Sequence, residues 1–418
     1  MSRNFEYLTE EQNILLALLK NSLLGKAEKI SFEKSDYYNL WNEALVQTVV
    51  LIAMNDFETV SLSDEEKALV KSKLQSFFLK NISVGTEHCH LHSLLSDADI
   101  PYVIIKGMAS SVYYPDELMR LLGDVDFLIR EEDMAAVDKI LCNDGYVARK
   151  KENSHHVTYD KDGLRCEMHF MPPGIPTGSA GDIVSEFFND IIEKSHVIDT
   201  SLGKMSVPSV YHHGLIILLH AIHHLTGDGL GLRHLCDWAV FISSLTKEEF
   251  CSAFENSLKS AGLWKIAVIL TSVCAEYLGA PFVIYDESLD NELCKKLICD
   301  IFSSGNFGQK NADRSHESLF IADKKKDNKK HGLIRNAILA VNEIVYSHWR
   351  TARRIRLLLP LGWIFFGGRY IIRSLAGKRP EIRLKNVLNE AHERQKFYDA
   401  LELFKTDRLF SGGYCNDA

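Results

Sequence analysis

Residues 104–129 read "IIKGMASSVYYPDELMRLLGDVDFLI". Two apolar runs flank a glycine at 107, and the second run carries Asp124 and Asp126 around a single valine. Aspartate is a poor strand former, and an unpaired carboxylate is costly to bury. Residues i and i+2 of a strand share a face. The two aspartates therefore project together, while Val125 and Phe127 point into a core. Two like charges on one face call for a cation, and aspartate oxygens suit Mg²⁺. A third acid, Glu167, sits between Cys166 and Met168 in the alternating run "LRCEMHF". Three converging acids can hold two metal ions that clamp the oxygens of a phosphoryl-type displacement. Asp124, Asp126 and Glu167 are thus the expected catalytic and metal-ligating residues, with Mg²⁺ or Mn²⁺ as cofactor.

The first half of the stretch supplies a phosphate end. Gly107 stands at a strand-to-helix turn, where free backbone N–H groups and a helix dipole attract anions. Lys106 and Arg120 can neutralise a triphosphate, and Ser110 or Ser111 can add a hydroxyl. A lone Asp-x-Asp would be an ordinary strand end. The glycine turn and the third acid make the combination far more demanding.

Outward from this stretch, the spacing predicts an α+β protein. Residues 1–96 read as a helical region with 3.6-residue apolar spacing. "TEEQNILLALLKNSLLG" opens on a threonine cap and closes at Gly25. Residues 97–208 read as strand, helix, strand, helix and then a hairpin turning at "DKDG". Residues 209–310 return to helices, 311–332 form a lysine-rich linker, and 333–418 form a basic helical region.

The 418 residues allow two or three domains. A hydrophobic share of 46% and a charged share of 25% are those of a globular chain. The net charge of −8 is unevenly spread. Residues 324–385 hold sixteen Lys or Arg against Asp327, Glu343 and Glu381, which points to an anionic contact. "MSRNFEYLTEEQ" lacks the apolar run of a secretory leader, and no apolar run reaches 18 residues. Nine cysteines without a Cys-x-x-Cys pair read as reduced thiols of a cytoplasmic protein. "EHCHLH", at 87–92, reads as a half-exposed helix face rather than a metal site, because ligands at i and i+2 do not share a face.

Taken together, Lys106-Gly107, Arg120, "GDVDFLI", Gly145-Tyr146 and Glu167-x-His169 resemble the polymerase-β-type nucleotidyltransferase superfamily. Within it the chain resembles the large bacterial group of uncharacterised nucleotidyltransferase proteins. "LLHAIHHLTGDGLGLRHLCDW", with His220, His224, Arg233 and Asp237, is similar to that group's helical half. The resemblance implies a small polymerase-β-like core with a mixed sheet, set between helical regions. It implies transfer of a nucleoside monophosphate from an NTP to an acceptor, with pyrophosphate leaving. Glu167 would then be the third metal ligand or the base. The chain departs from the superfamily in carrying Met108 after Gly107, where Ser or Gly is common.

Other residues leave alternatives open. His220 and His224 share a helix face and read first as a polar seam, then as acceptor or phosphate contacts, and last as metal ligands. Arg233 and Asp237 read as an i, i+4 ion pair, or as nucleotide-facing. His156 either faces the cleft or lies at a strand edge. His169 shares the face of Glu167 and suits substrate positioning. The acceptor reads as a small molecule, sugar or peptide, with nucleic acid ranked behind. The basic, aromatic stretch 349–376 reads as a peripheral contact at the inner membrane face or as docked on the acidic remainder. The rival readings are a nucleotide-binding scaffold without turnover and a protein-modifying enzyme.

Overall fold

The computed structural model describes residues 5–25, 30, 34–54, 62–149, 156–176, 179–311 and 384–405, with short pieces between 314 and 368. The linker expected at 311–332 falls almost wholly outside them. So does most of the stretch 349–376; within its described part, Leu361, Ile364 and Phe365 are more than half exposed. No helix among the described residues is long and apolar enough to cross a membrane.

Helices α1 (Glu10–Leu24), α2 (Lys34–Val46), α3 (Val50–Ala53) and α4 (Asp64–Ser96) come first. Capping boxes on Thr9 and Ser63 start α1 and α4, and Gly25, at φ 65°, stops α1. The α/β unit follows with β1 (Tyr102–Ile104), α5 (Met108–Ser111), β2 (Val125–Ile129), α6 (Met134–Asn143), β3 (Val147–Ala148), β4 (His156–Lys161) and β5 (Leu164–His169). Next come α7 (Ser179–Glu186), which the sequence spacing did not announce, and the ribbon of β6 (His196–Thr200) and β7 (Gly203–Val207). Helices α8 (Val210–Thr226), α9 (Leu232–Ser243), α10 (Lys247–Ser260), α11 (Trp264–Val273) and α12 (Asn291–Ser304) follow, and Leu384–Ala400 is helical. The chain is α+β, as the sequence leads one to expect.

The five-stranded sheet runs β1-β2-β5-β4-β3. It is mixed: β2 and β5 pair in parallel, and the other neighbours are antiparallel. The β4–β5 hairpin turns on Asp162-Gly163, both at positive φ, as a tight two-residue turn requires.

Alternation gives the sheet two unlike faces. Ile104, Val125, Phe127, Ile129, Cys166 and Met168 pack against Val84, Leu91 and Leu95 of α4 and Val137 and Leu141 of α6. Val103, Ile105 and Leu128 face the other way, into a larger core shared by α1–α3 and α8–α12. Phe397, Tyr398, Leu401 and Phe404 join that larger core, so the end of the described chain docks onto the helices. The sheet is therefore sealed by hydrocarbon on one side and meets the helical layer on the other.

Candidate active site

In the parallel pair, Asp126 lies beside Glu167 and Leu128 beside His169. The pleat puts Asp126, Glu167 and His169 on the face turned toward the helical layer. Asp124, just ahead of β2, is near enough to feel the charges of Asp126 and Glu167.

Asp126 is 5% exposed. Its Oδ1 accepts from Lys106 Nζ at 2.9 Å, and His169 Nε2 lies 2.9 Å from the same oxygen. Burial alone would raise its pKa, but Lys106 and His169 hold it well below the ordinary carboxylate range. Asp124 has no ion-pair partner among the described residues. Burial, then the charges of Asp126 and Glu167, raise its pKa. His169, with Nε2 3.6 Å from a Glu167 oxygen, lowers that of Glu167. Burial opposes the charge on His169, yet Asp126 and Glu167 together raise it. Facing His169 in register is the half-buried His156, their rings 5.1 Å apart, so it borders the acids.

This donor set suits a hard divalent cation. Asp126, Glu167 and His169 each offer an atom within 4.8 Å of the others; Asp124, expected as a third ligand, is outside that group and acts on it through its charge. Lys106 and His169 compensate part of the negative charge, and Asp124 adds a carboxylate that neither of them pairs.

Gly107 needs its glycine. Its φ of 57° and ψ of −115° suit no side chain, and an added Cβ would lie 3.1 Å from His88 Nε2. Neither its amide nor that of Met108 makes a hydrogen bond among the described residues. The Met108 side chain turns into the α4–α6 core, away from the acids. Two expectations are corrected here. Helix α5 is a single turn of four residues, so its dipole adds little. Ser111 is fully buried and donates to the Met108 carbonyl at 2.9 Å, so its hydroxyl is not free for a phosphate. Ser110, also buried, makes no hydrogen bond through its hydroxyl among the described residues.

The two arginines exchange the roles the spacing assigns them. Arg120, 4% exposed, donates from Nε and NH2 to the two oxygens of Asp237 at 2.7 and 2.8 Å. Tyr114 donates to the same carboxylate at 2.7 Å. Arg120 therefore ties the α/β unit to α9 and does not face a triphosphate. Nor does Arg233 pair with its i+4 neighbour Asp237. Among the described residues it contacts the Leu121 carbonyl, at 3.5 Å, and the Phe307 ring at 5.5 Å, and its Nε is buried without a partner there. Burial and the charge of Arg120 lower its pKa to about 10. His220 and His224 lie with His234, one nitrogen of each within 4.8 Å of the others.

Several residues escape the sequence reading. Asn81 donates to the Leu118 and Arg120 carbonyls and accepts from the Leu122 amide, fixing the approach to Asp124. Gln47 accepts from the Leu232 amide at the start of α9. His88 of "EHCHLH" is fully buried under the Gly107 turn, not on a half-exposed face; His90 bonds Asp144 and His92 bonds Tyr102. The signal was present in α4, whose buried residues Asn81, Val84, Gly85, His88, Leu91 and Leu95 form one helical stripe.

No curated protein matches the chain. Among solved structures, it is similar to an antigenic nucleotidyltransferase-like protein from Paracoccidioides brasiliensis. The two are 14% identical, the match covers 48% of this chain and 94% of that one, and the TM-score is 0.33, too low to carry weight. A model of the family described as uncharacterised nucleotidyltransferase matches residues 31–279, a span holding the Gly107 turn, all three acids and the helices facing them. With more than half its length so matched, the chain belongs to the uncharacterised nucleotidyltransferase family and is an enzyme of the nucleotidyl-transferring class.

Proposed function

We propose that the chain moves a nucleoside monophosphate from an NTP to a hydroxyl or phosphate of a small-molecule, sugar or peptide acceptor, releasing pyrophosphate. The observation that carries this reading is the carboxylate face of Asp126 and Glu167 on adjacent parallel strands, with Asp124 beside it. Asp124, Asp126 and Glu167 would hold Mg²⁺ or Mn²⁺, which when bound supplies charge stabilisation at the α-phosphate.

The chain's own groups account for the rest. Lys106 and the free amides of Gly107 and Met108 bind phosphate oxygens. An acceptor oxygen attacks the α-phosphorus, a new P–O bond forms, and the bond to the β-phosphate oxygen breaks. Where Glu167 does not hold the metal, it takes the acceptor's proton. His156 borders that position and orients the acceptor.

The test is pyrophosphate release by the full chain with Mg²⁺, each NTP and a panel of hydroxyl- and phosphate-bearing acceptors. Release that requires Asp126 and Mg²⁺ supports the reading. Release unchanged by Asp126→Asn, or no release with any NTP and acceptor, refutes it.

A further inference from the structure

We propose that Arg233, His234, His220 and His224 form a second anion site, beside the acids, that takes a phosphate group of a substrate. Arg233 and His234 occupy the first turn of the twelve-residue helix α9, whose N-terminal end carries partial positive charge. His234 is 2% exposed, and its Nε2 has no partner among the described residues. Its Nδ1 accepts from the Gly231 amide at 3.4 Å, which places the ring proton on Nε2. The result is a buried donor without an acceptor. Arg233 presents a second: its Nε is buried without a partner, and no carboxylate pairs its guanidinium among the described residues. A half-buried guanidinium whose Nε is closed off without a partner is costly unless an anion meets it.

His220 and His224 complete the cluster, their Nε2 atoms 2.9 Å apart. Phe307 covers it, 4.7 Å from the His224 ring and 6.0 Å from that of His234. Phe307 is itself held at a φ of 55° in a half-exposed loop. The loop is fixed by close approach: a Cβ on Gly231 would lie 2.6 Å from Asn306.

Three histidines this close also suggest a transition metal. Two features favour an anion instead. A metal-bound imidazole donates from its other nitrogen, whereas His234 accepts there. The charges of Arg233 and Lys106 also act on all three rings and oppose a dication. Only the identity of the molecule bringing the phosphate rests on the nucleotidyl-transfer reading; the site itself rests on its own donors.

Calorimetric titration of the full chain with inorganic phosphate, inorganic pyrophosphate and ATP, without divalent metal, tests the proposal. Arg233→Gln should weaken at least one of these by about tenfold or more, the loss of one charge-assisted contact. Arg233→Lys, which keeps the charge, should weaken it less, and it decides the matter if the glutamine variant does not fold. Loss of ATP affinity would assign the site to the nucleotide's phosphates. Loss for phosphate or pyrophosphate with ATP unchanged would assign it to a phosphorylated acceptor. Unchanged affinity for all three overturns the proposal, as does stoichiometric zinc in the purified chain that His234→Phe removes. Mn²⁺ binding that survives Asp126→Asn would sink the metal-site reading while leaving this inference intact.

Discussion

Two charged clusters lie a few residues apart on the helical side of the sheet, and they are satisfied to different degrees. In the first, Arg120, Asp237 and Tyr114 exhaust one another: both carboxylate oxygens and the guanidinium fork are paired, and all three residues are buried. In the second, Asp124 has no ion-pair partner, Arg233 no carboxylate and His234 Nε2 no acceptor, among the described residues. A saturated buried network fixes geometry. An unsaturated one carries a cost that only a ligand offsets. The contrast separates a tie between layers from the place where we propose that substrates act.

The comparison predicts opposite consequences of substitution. Asp126→Asn should cut turnover on the order of a thousandfold, the several kcal/mol a metal-assisted step supplies. It should lower the thermal midpoint less than Arg120→Met does, because the asparagine oxygen can still accept from Lys106, and scanning calorimetry beside a pyrophosphate assay would check this. Arg120→Met should do the reverse. It leaves the Asp237 carboxylate buried without its cation, a cost of about 3–5 kcal/mol read by denaturant unfolding. If Arg120→Met instead spared stability and abolished nucleotide affinity, the division between tie and site would fail.

Gly107→Ala should destabilise by about 1–3 kcal/mol through its left-handed backbone and the approach of His88. A chemical-denaturation midpoint matching that of the unsubstituted chain would contradict this.

A further effect is one of pH. Burial holds His88 and His213 neutral, with pKa values lowered to about 4 and about 3. The unfolded chain takes up these protons first as pH falls below about 6.5. Stability should therefore decline from about pH 6 toward pH 4, by on the order of 1 kcal/mol per unit for each ring. His88→Gln and His213→Gln should flatten that slope in stability-against-pH curves.

The sequence made the acid face legible because a period of two is rigid. Once Val125, Phe127, Cys166 and Met168 enter a core, Asp126 and Glu167 must share the opposite face. The "DG" at 162–163 likewise announced its hairpin through backbone chemistry alone. The partner of Asp237 was not legible. At i, i+4, Arg233 is its neighbour in sequence, but Arg120 reaches it from 117 residues away with a bidentate fork that local spacing cannot foretell. Asn81 and Gln47 were hidden for the same reason, since a buried amide looks like any surface amide until its long-range partners are known. Ser111 illustrates the converse: a hydroxyl at a promising position was already committed to its own helical turn.

Binding of Mn²⁺ to the full chain, followed by electron paramagnetic resonance with and without a non-hydrolysable NTP, tests the central claim most directly. Mn²⁺ should bind, the nucleotide should strengthen that binding, and Asp126→Asn should abolish it. Binding that is indifferent to both would contradict the claim.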